Sequence, residues 1–364
     1  MFTASMSQNK RSTGLLIATI FMLLGSLSLS MACSADEAAA PAAAPAAAPA
    51  AASVAAPAAA PAQPAPTVAL EEKADKQIAF PVFASTSIVG DWVKNVGGER
   101  VIVEHLAPAG KDPHTYQPTP KEVAKLSESK LVFSIGLSLE GKNISSLLEN
   151  SLSPDATHIP LGPLVNPIEY KDHDEHDEHD EHDEHEGHEH GEYDPHYWLD
   201  PRNAKIIADT ITSELVAIDP ANQSYYTEQL KSFKEEMDTL YTEQLNLMKP
   251  IKDIPFLTMH DAWEYYAAAF ELNLIGSFNP TGAEDPTPKY LKYLQDLIDT
   301  TGSKAIFNEP QLPVSGLLPF LADNNLSLGI LDPLAGMHGI EVYSHIIENN
   351  SKELIATLKS TRLD

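Results

Sequence analysis

The sequence predicts an α/β protein of two lobes, each a parallel sheet with flanking helices, joined by one long helix and facing each other across a cleft. Three observations predict it. Short apolar runs alternate with amphipathic stretches from Gln77 onward, an unbroken helical pattern follows over 222–248, and the alternation then resumes to the C-terminus. With 43% hydrophobic residues among 364, the folded part can bury a core of that size.

The first lobe, 77–218, has strands expected over 78–85, 101–104, 131–135 and 157–160, where β-branched and aromatic residues cluster between turn signals. Helices are expected between them over 88–96, 119–127 and 143–149, and a fourth over 202–217 closes the lobe. Asp219-Pro220 then opens the linking segment, 219–252, whose helix is stopped by Pro250. At ~1.5 Å per residue that helix spans roughly 40 Å, the width of a domain. In the second lobe, 253–364, strands are expected over 256–259, 274–277, 305–308 and 327–331, followed by helices over 261–271, 288–300, 315–323 and 339–359. Open parallel sheets bind ligands beyond the carboxyl ends of their strands, which here face the cleft.

The first 76 residues stand outside this pattern. Lys10 and Arg11 precede the apolar run 15–24, and small residues follow to Ala32, so 1–32 reads as an export signal peptide. The run is short for a membrane span. Cys33, the chain's one cysteine, follows directly and resembles the lipidated cysteine of bacterial lipoproteins, although Ser30 stands where that pattern prefers leucine. The alternative is a soluble exported protein cut nearby, and in either case no intrachain disulfide can form. Residues 38–66 are almost all Ala and Pro, which forbids continuous helix; 33–76 therefore reads as an anchor cysteine and an extended tether.

A formal net charge of −28 argues against nucleic acid or an anionic membrane surface as a partner and makes cations the natural guests. Much of the charge lies in one loop, 171–192, where Asp-Glu-His is written four times and seven histidines stand among twelve carboxylates. Imidazole is the commonest side-chain ligand for zinc, copper and nickel, and the surrounding acids concentrate any divalent cation. His173, His176, His179, His182, His185, His188 and His190 are therefore expected to form an accessory, low-affinity metal collector. A tract with nothing apolar to bury cannot build a precise site.

Three histidines outside the tract sit where a strand has ended. His114 lies in DPHTYQPTP, His196 in DPHYWLDP and His260 in TMHDAWEYYAAAF; His105 ranks behind them. Asp332, in LDPLAG after the last strand, holds the corresponding place in the second lobe. Three imidazoles and a carboxylate, two ligands from each lobe, form a four-coordinate set suited to zinc in the cleft. Water, Glu309 or another acid of the second lobe is the alternative to Asp332. Asp112 and Asp194, each two residues before a histidine and followed by proline, are read as shaping their loops, and Asp261 as capping the helix after His260. Trp198, Tyr116, Tyr265 and Tyr266 are read as core.

On these stretches, with FNEPQ at Glu309 and LDPLA at Asp332, the chain from Gln77 onward resembles the substrate-binding proteins of bacterial zinc/manganese ABC importers, the ZnuA-like family of metal-binding lipoproteins and adhesins. The resemblance implies that His114, His196, His260 and Asp332 are metal ligands. It also implies a monomer outside the cytoplasmic membrane, in the periplasm or on the outer face of the cell, that passes its ion to an ABC permease and performs no catalysis. Family members selective for manganese commonly carry a carboxylate at the position of His260, so the histidine points to Zn2+ as the transported substrate and away from Mn2+. The acidic insertion looks like the loop of zinc-specific members, placed to hand metal on to His196. The rival readings are a manganese-binding member, an adhesion or zinc-buffering lipoprotein without a transporter, and a zinc hydrolase, for which no general base stands at a recognisable spacing such as HExxH.

Overall fold

A computed structural model of the chain describes residues 79–170, 191–278, 287–337 and 342–362. The expected signal peptide, Cys33, the tether and the seven tract histidines lie outside the described residues. Each lobe is built on four parallel strands. In the first, β1 (Phe80–Thr86), β2 (Val101–Ala107), β3 (Leu131–Ser134) and β4 (Thr157–Pro160) lie in the order β2-β1-β3-β4. In the second, β5 (Phe256–Thr258), β6 (Leu274–Ser277), β7 (Ala305–Asn308) and β8 (Ser327–Ile330) repeat that order as β6-β5-β7-β8. The chain reverses its direction of travel between the first and third strand of each sheet, where a crevice opens at the strand ends. β3 and β7 are buried at every residue, as strands covered on both faces must be.

The helices are α1 (Ser87–Gly97), α2 (Pro120–Glu128), α3 (Lys142–Asn150), α4 (Pro201–Ile218), α5 (Gln223–Met248), α6 (Glu264–Ala269), α7 (Pro288–Thr301), α8 (Leu318–Asn324) and α9 (Tyr343–Ser360). Three start on one device, a capping side chain followed by proline at the first helical position: Thr119-Pro120, Asp200-Pro201 and Thr287-Pro288. The side-chain oxygen accepts a first-turn N–H, and the proline has none to leave unpaired. The 26-residue α5 packs on α1 and α4 of the first lobe and on α9 of the second.

One apolar core runs through both lobes. Trp92, Tyr197 and Trp198 from the first half pack in the same cluster as Tyr265, Tyr266 and Tyr343 from the second, and the Trp92 and Tyr343 rings meet edge to face at 5.3 Å. Trp198 is pinned at both ends, its indole N–H donating to the Pro333 carbonyl (3.0 Å) while its own carbonyl accepts the Tyr343 hydroxyl (2.5 Å).

Helix starts expected at 315 and 339 fall at Leu318 and Tyr343, and two further differences lie nearer the histidines. β2 continues to Ala107, so His105 lies inside the strand and not at its end. α6 begins at Glu264 rather than 261, with Trp263 in the cap position and no capping side chain, so Asp261 does not cap it. Among the described residues no helix is long and apolar enough to cross a membrane.

Candidate metal centre

The fold brings His114, His196 and His260 together at the junction of the lobes. One ligand nitrogen from each lies within 4.8 Å of the others. Their ring centroids are 5.1 Å apart for His196 and His260, 5.8 Å for His114 and His196, and 6.3 Å for His114 and His260. His196 and His260 are buried and His114 half-buried. Zinc held at ~2.0–2.1 Å by four ligands sets its donors roughly 3.3 Å apart, so ring adjustments of about 1 Å would complete such a cage.

The histidines arrive by different routes. His260 follows β5 almost directly, whereas His114 sits in the β2–α2 connection and His196 in the long passage from β4 to α4. In both first-lobe loops a turn of one kind sets the ligand. Asp112 Oδ1 accepts the His114 N–H (2.9 Å) and Asp194 Oδ1 accepts the His196 N–H (2.8 Å). Proline between them fixes φ and needs no partner of its own. The Asp-Pro-X turn recurs at Asp200, which accepts the Arg202 N–H (2.9 Å), and at Asp332, which accepts the Leu334 N–H (3.0 Å).

That recurrence bears on Asp332. It is not among the residues whose ligand atoms converge, and its carboxylate is engaged in its own loop. Besides Leu334, the Met337 N–H (2.6 Å) and the Gln311 amide (3.2 Å) donate to it. The loop so held touches the first lobe: the Gly110 N–H donates to the Leu334 carbonyl (2.6 Å). A Cβ on Gly110, whose φ is +75°, would come within 2.4 Å of Gly336 Cα, so these two glycines allow backbone to meet backbone beside the His114 loop.

Two buried carboxylates orient the imidazoles. Asp194 Oδ1 also lies 2.7 Å from His196 Nδ1, a contact that orients the ring and leaves Nε2 as the nitrogen open to an ion. Glu309 Oε1 lies 3.4 Å from His260 Nδ1 and accepts the Trp263 indole N–H at 2.9 Å. Burial pushes the Asp194 carboxyl up to about 7, against the His196 N–H and the nearby His260, which hold it down. Burial alone would lower the His260 imidazole, but Glu309 and, further off, Asp261 and Asp194 outweigh it and the net shift is upward. An arriving cation therefore displaces a proton from this cluster. The sequence singles out Asp194 only as a loop former and Glu309 only as a spare ligand; the repeated Asp-Pro-His was the available signal for Asp194.

The remaining described histidines lie apart: His105 is in β2, His158 shares a hydrogen bond with Ser134 (2.9 Å), and exposed His345 lines a cavity of about 120 Å³ between β8 and α9. Trp198, Tyr265 and Tyr266 are core residues, and Tyr116 is half-buried with its hydroxyl on Glu122 (3.0 Å).

The profile of the ZnuA family, described as "Zinc-uptake complex component A periplasmic", matches residues 82–357. The chain belongs to this family. The high-affinity zinc uptake system protein ZnuA of Brucella abortus is 32% identical over 166 residues, covering 45% of this chain and 50% of that one, so the match spans about half the relative's length. The manganese ABC transporter substrate-binding lipoprotein PsaA of Streptococcus mitis is 29% identical over 255 residues, 68% of this chain and 77% of that one. A crystal structure of ZnuA superposes with a TM-score of 0.64 at 26% identity, covering 77% of this chain and 99% of that one. The ZnuA family is one of metal-uptake proteins and not of enzymes, which closes the hydrolase reading.

Proposed function

We propose that this chain is an extracytoplasmic binding protein that captures Zn2+ at the lobe junction and delivers it to an ABC-type importer in the membrane. The observation that carries the reading is the convergence of three imidazoles, with no carboxylate among them, from segments far apart in the chain. Nitrogen donors suit zinc, whereas Mn2+ prefers carboxylate and water. His114, His196 and His260 are the proposed ligands. Because Asp332 is occupied in its own loop and Glu309 supports His260, water is the proposed fourth ligand, open to exchange when the ion is passed on.

The seven tract histidines serve as an accessory collector close to His196, and acylated Cys33 with its tether holds a monomeric body near the permease, in the periplasm or at the outer face of the membrane. The manganese-binding alternative is carried by relatives such as PsaA. Uptake of labelled metal by host cells lacking the gene tests the proposal. The chain should restore zinc uptake, and His260→Ala should not. Restoration of manganese but not zinc uptake would move the reading to the alternative, and restoration of neither would leave a lipoprotein without a transporter.

A further inference from the structure

Tyr265 stands early in α6, on the segment that begins with His260, and its side chain is buried. Its hydroxyl is engaged across the lobe boundary: it donates to the Asp194 carbonyl (3.1 Å) and accepts the Ile168 N–H (2.9 Å). Ile168 and Asp194 are opposite legs of one stem. The Asp194 N–H donates to the Ile168 carbonyl (2.8 Å), the Tyr170 N–H to the Glu192 carbonyl (3.2 Å), and Glu169 bridges antiparallel to Tyr193. Asp194 is also the residue whose carboxylate holds His196 by its N–H and its Nδ1. One phenol thus ties the segment carrying His260 to the residue that orients His196.

We propose that Tyr265 is a positioning residue for the metal site: its hydroxyl, held between the Ile168 N–H and the Asp194 carbonyl, fixes His260 of the second lobe against His196 of the first and so sets how tightly a divalent ion is retained. The proposal rests on the reading of these histidines as ligands. A tyrosine hydroxyl is suited to the place because it donates and accepts at once. Burial, partly offset by the Ile168 N–H and helped by Asp194, pushes it up to about 12, so it keeps the proton it donates. Phenylalanine would preserve the ring packing and leave a buried carbonyl and a half-buried N–H short of a partner. Without that tie the helix behind His260 loses its hydrogen bonds to both legs of the stem.

The adjacent residue supplies the control. The Tyr266 hydroxyl is also buried on α6, but its partners, Ser351 Oγ (2.9 Å) and the Ile347 carbonyl (3.3 Å), belong to α9 and not to the stem. Zinc dissociation constants are measured on the full chain against a chelator strong enough to empty the acidic tract, and amide hydrogen exchange is read at Ile168 in the metal-free protein. Tyr265→Phe should weaken zinc binding about 10-fold, the low end for groups that act on a metal through its ligands, and speed exchange at Ile168. Tyr266→Phe should lower thermal stability comparably and leave both readouts at their wild-type values. Wild-type affinity in Tyr265→Phe, an unchanged Ile168 amide, or equal weakening by Tyr266→Phe overturns the positioning role. If the wild-type chain holds no zinc that His260→Ala removes, the ligand reading fails and this role fails with it; if it does and Tyr265→Phe matches it, the positioning role alone fails.

Discussion

The two lobes share a strand order and differ in how they bring imidazole to their junction. In the second lobe the sheet itself sets the ligand, because His260 leaves the central strand β5 almost at once and its backbone carbonyl accepts the Thr258 hydroxyl (2.9 Å). In the first lobe the sheet is remote from both ligands, and Asp-Pro-His turns set them instead. The contrast teaches that one metal site can combine a ligand fixed by topology with ligands fixed by local turn chemistry. The two kinds should fail differently.

The largest effect breaks the contrast by removing ligands. His196→Ala and His260→Ala should each weaken zinc binding roughly 100-fold or more, beyond the range typical of groups behind the ligands, measured by chelator competition on the chain lacking 171–190. A small loss for either would show that its lobe supplies no ligand.

Next come the carboxylates behind the rings. Asp194→Asn and Glu309→Gln should each cost roughly 10- to 100-fold in affinity, and Asp112→Asn less, because its contacts run to the His114 N–H and the Thr115 hydroxyl and not to a ring. Asp332→Asn sharpens the assignment of the fourth ligand: a loss under about 10-fold fits a loop-building role, whereas a loss as large as that of His260→Ala would make Asp332 a ligand.

Acid should act on the second lobe's ligand first. Since the His260 imidazole is raised above its ordinary 6.5, it takes up protons at a higher pH than a free histidine and competes with the ion there. Zinc affinity should therefore begin to fall above pH 6.5 and keep falling toward pH 5, and Glu309→Gln should shift the onset downward. Calorimetric titration across that range checks both.

Away from the site, Asp91 of α1 accepts the N–H of Tyr343 on α9 at 3.2 Å, and burial raises its carboxyl from 3.8 to about 6. A raised folded-state value means the native protein binds the extra proton. The Asp91 contribution to stability should therefore be most favourable below about pH 4, decline by up to about 3 kcal/mol between pH 4 and 6, and then be flat. Denaturant unfolding of Asp91→Asn should lack that decline. The smallest effect is expected from deleting 171–190, which should leave the intrinsic affinity of the junction within about 2-fold; a larger loss would make the acidic tract part of the site.

Much of the fold is legible in the chain because it rests on local signals. Strands such as LVFS and AIFN are apolar up to their last residue, and Thr-Pro or Asp-Pro marks three helix starts. The start of α6 is not legible, because Asp261 looks like a cap while the chain bends over 259–261 and the cap position falls on Trp263. Of the three converging histidines, His260 stands just beyond a strand, whereas His114 and His196 lie further along the chain and share the Asp-Pro-His spelling. The support of the rings was not legible, because Glu309 meets His260 through the pairing of β7 with β5, and Tyr265 meets Asp194 through the packing of one lobe on the other. Asp332 also stands after a strand, but its carboxylate accepts from its own loop in an Asp-Pro turn like those of Asp112 and Asp194, so position alone does not assign it.

The most direct test is anomalous diffraction at the zinc absorption edge from crystals of the zinc-loaded chain lacking 171–190. The account predicts one strong peak at the lobe junction, bonded at ~2.0–2.1 Å to one ring nitrogen of each of His114, His196 and His260. A peak elsewhere, or at the junction without one of these three rings, would contradict it.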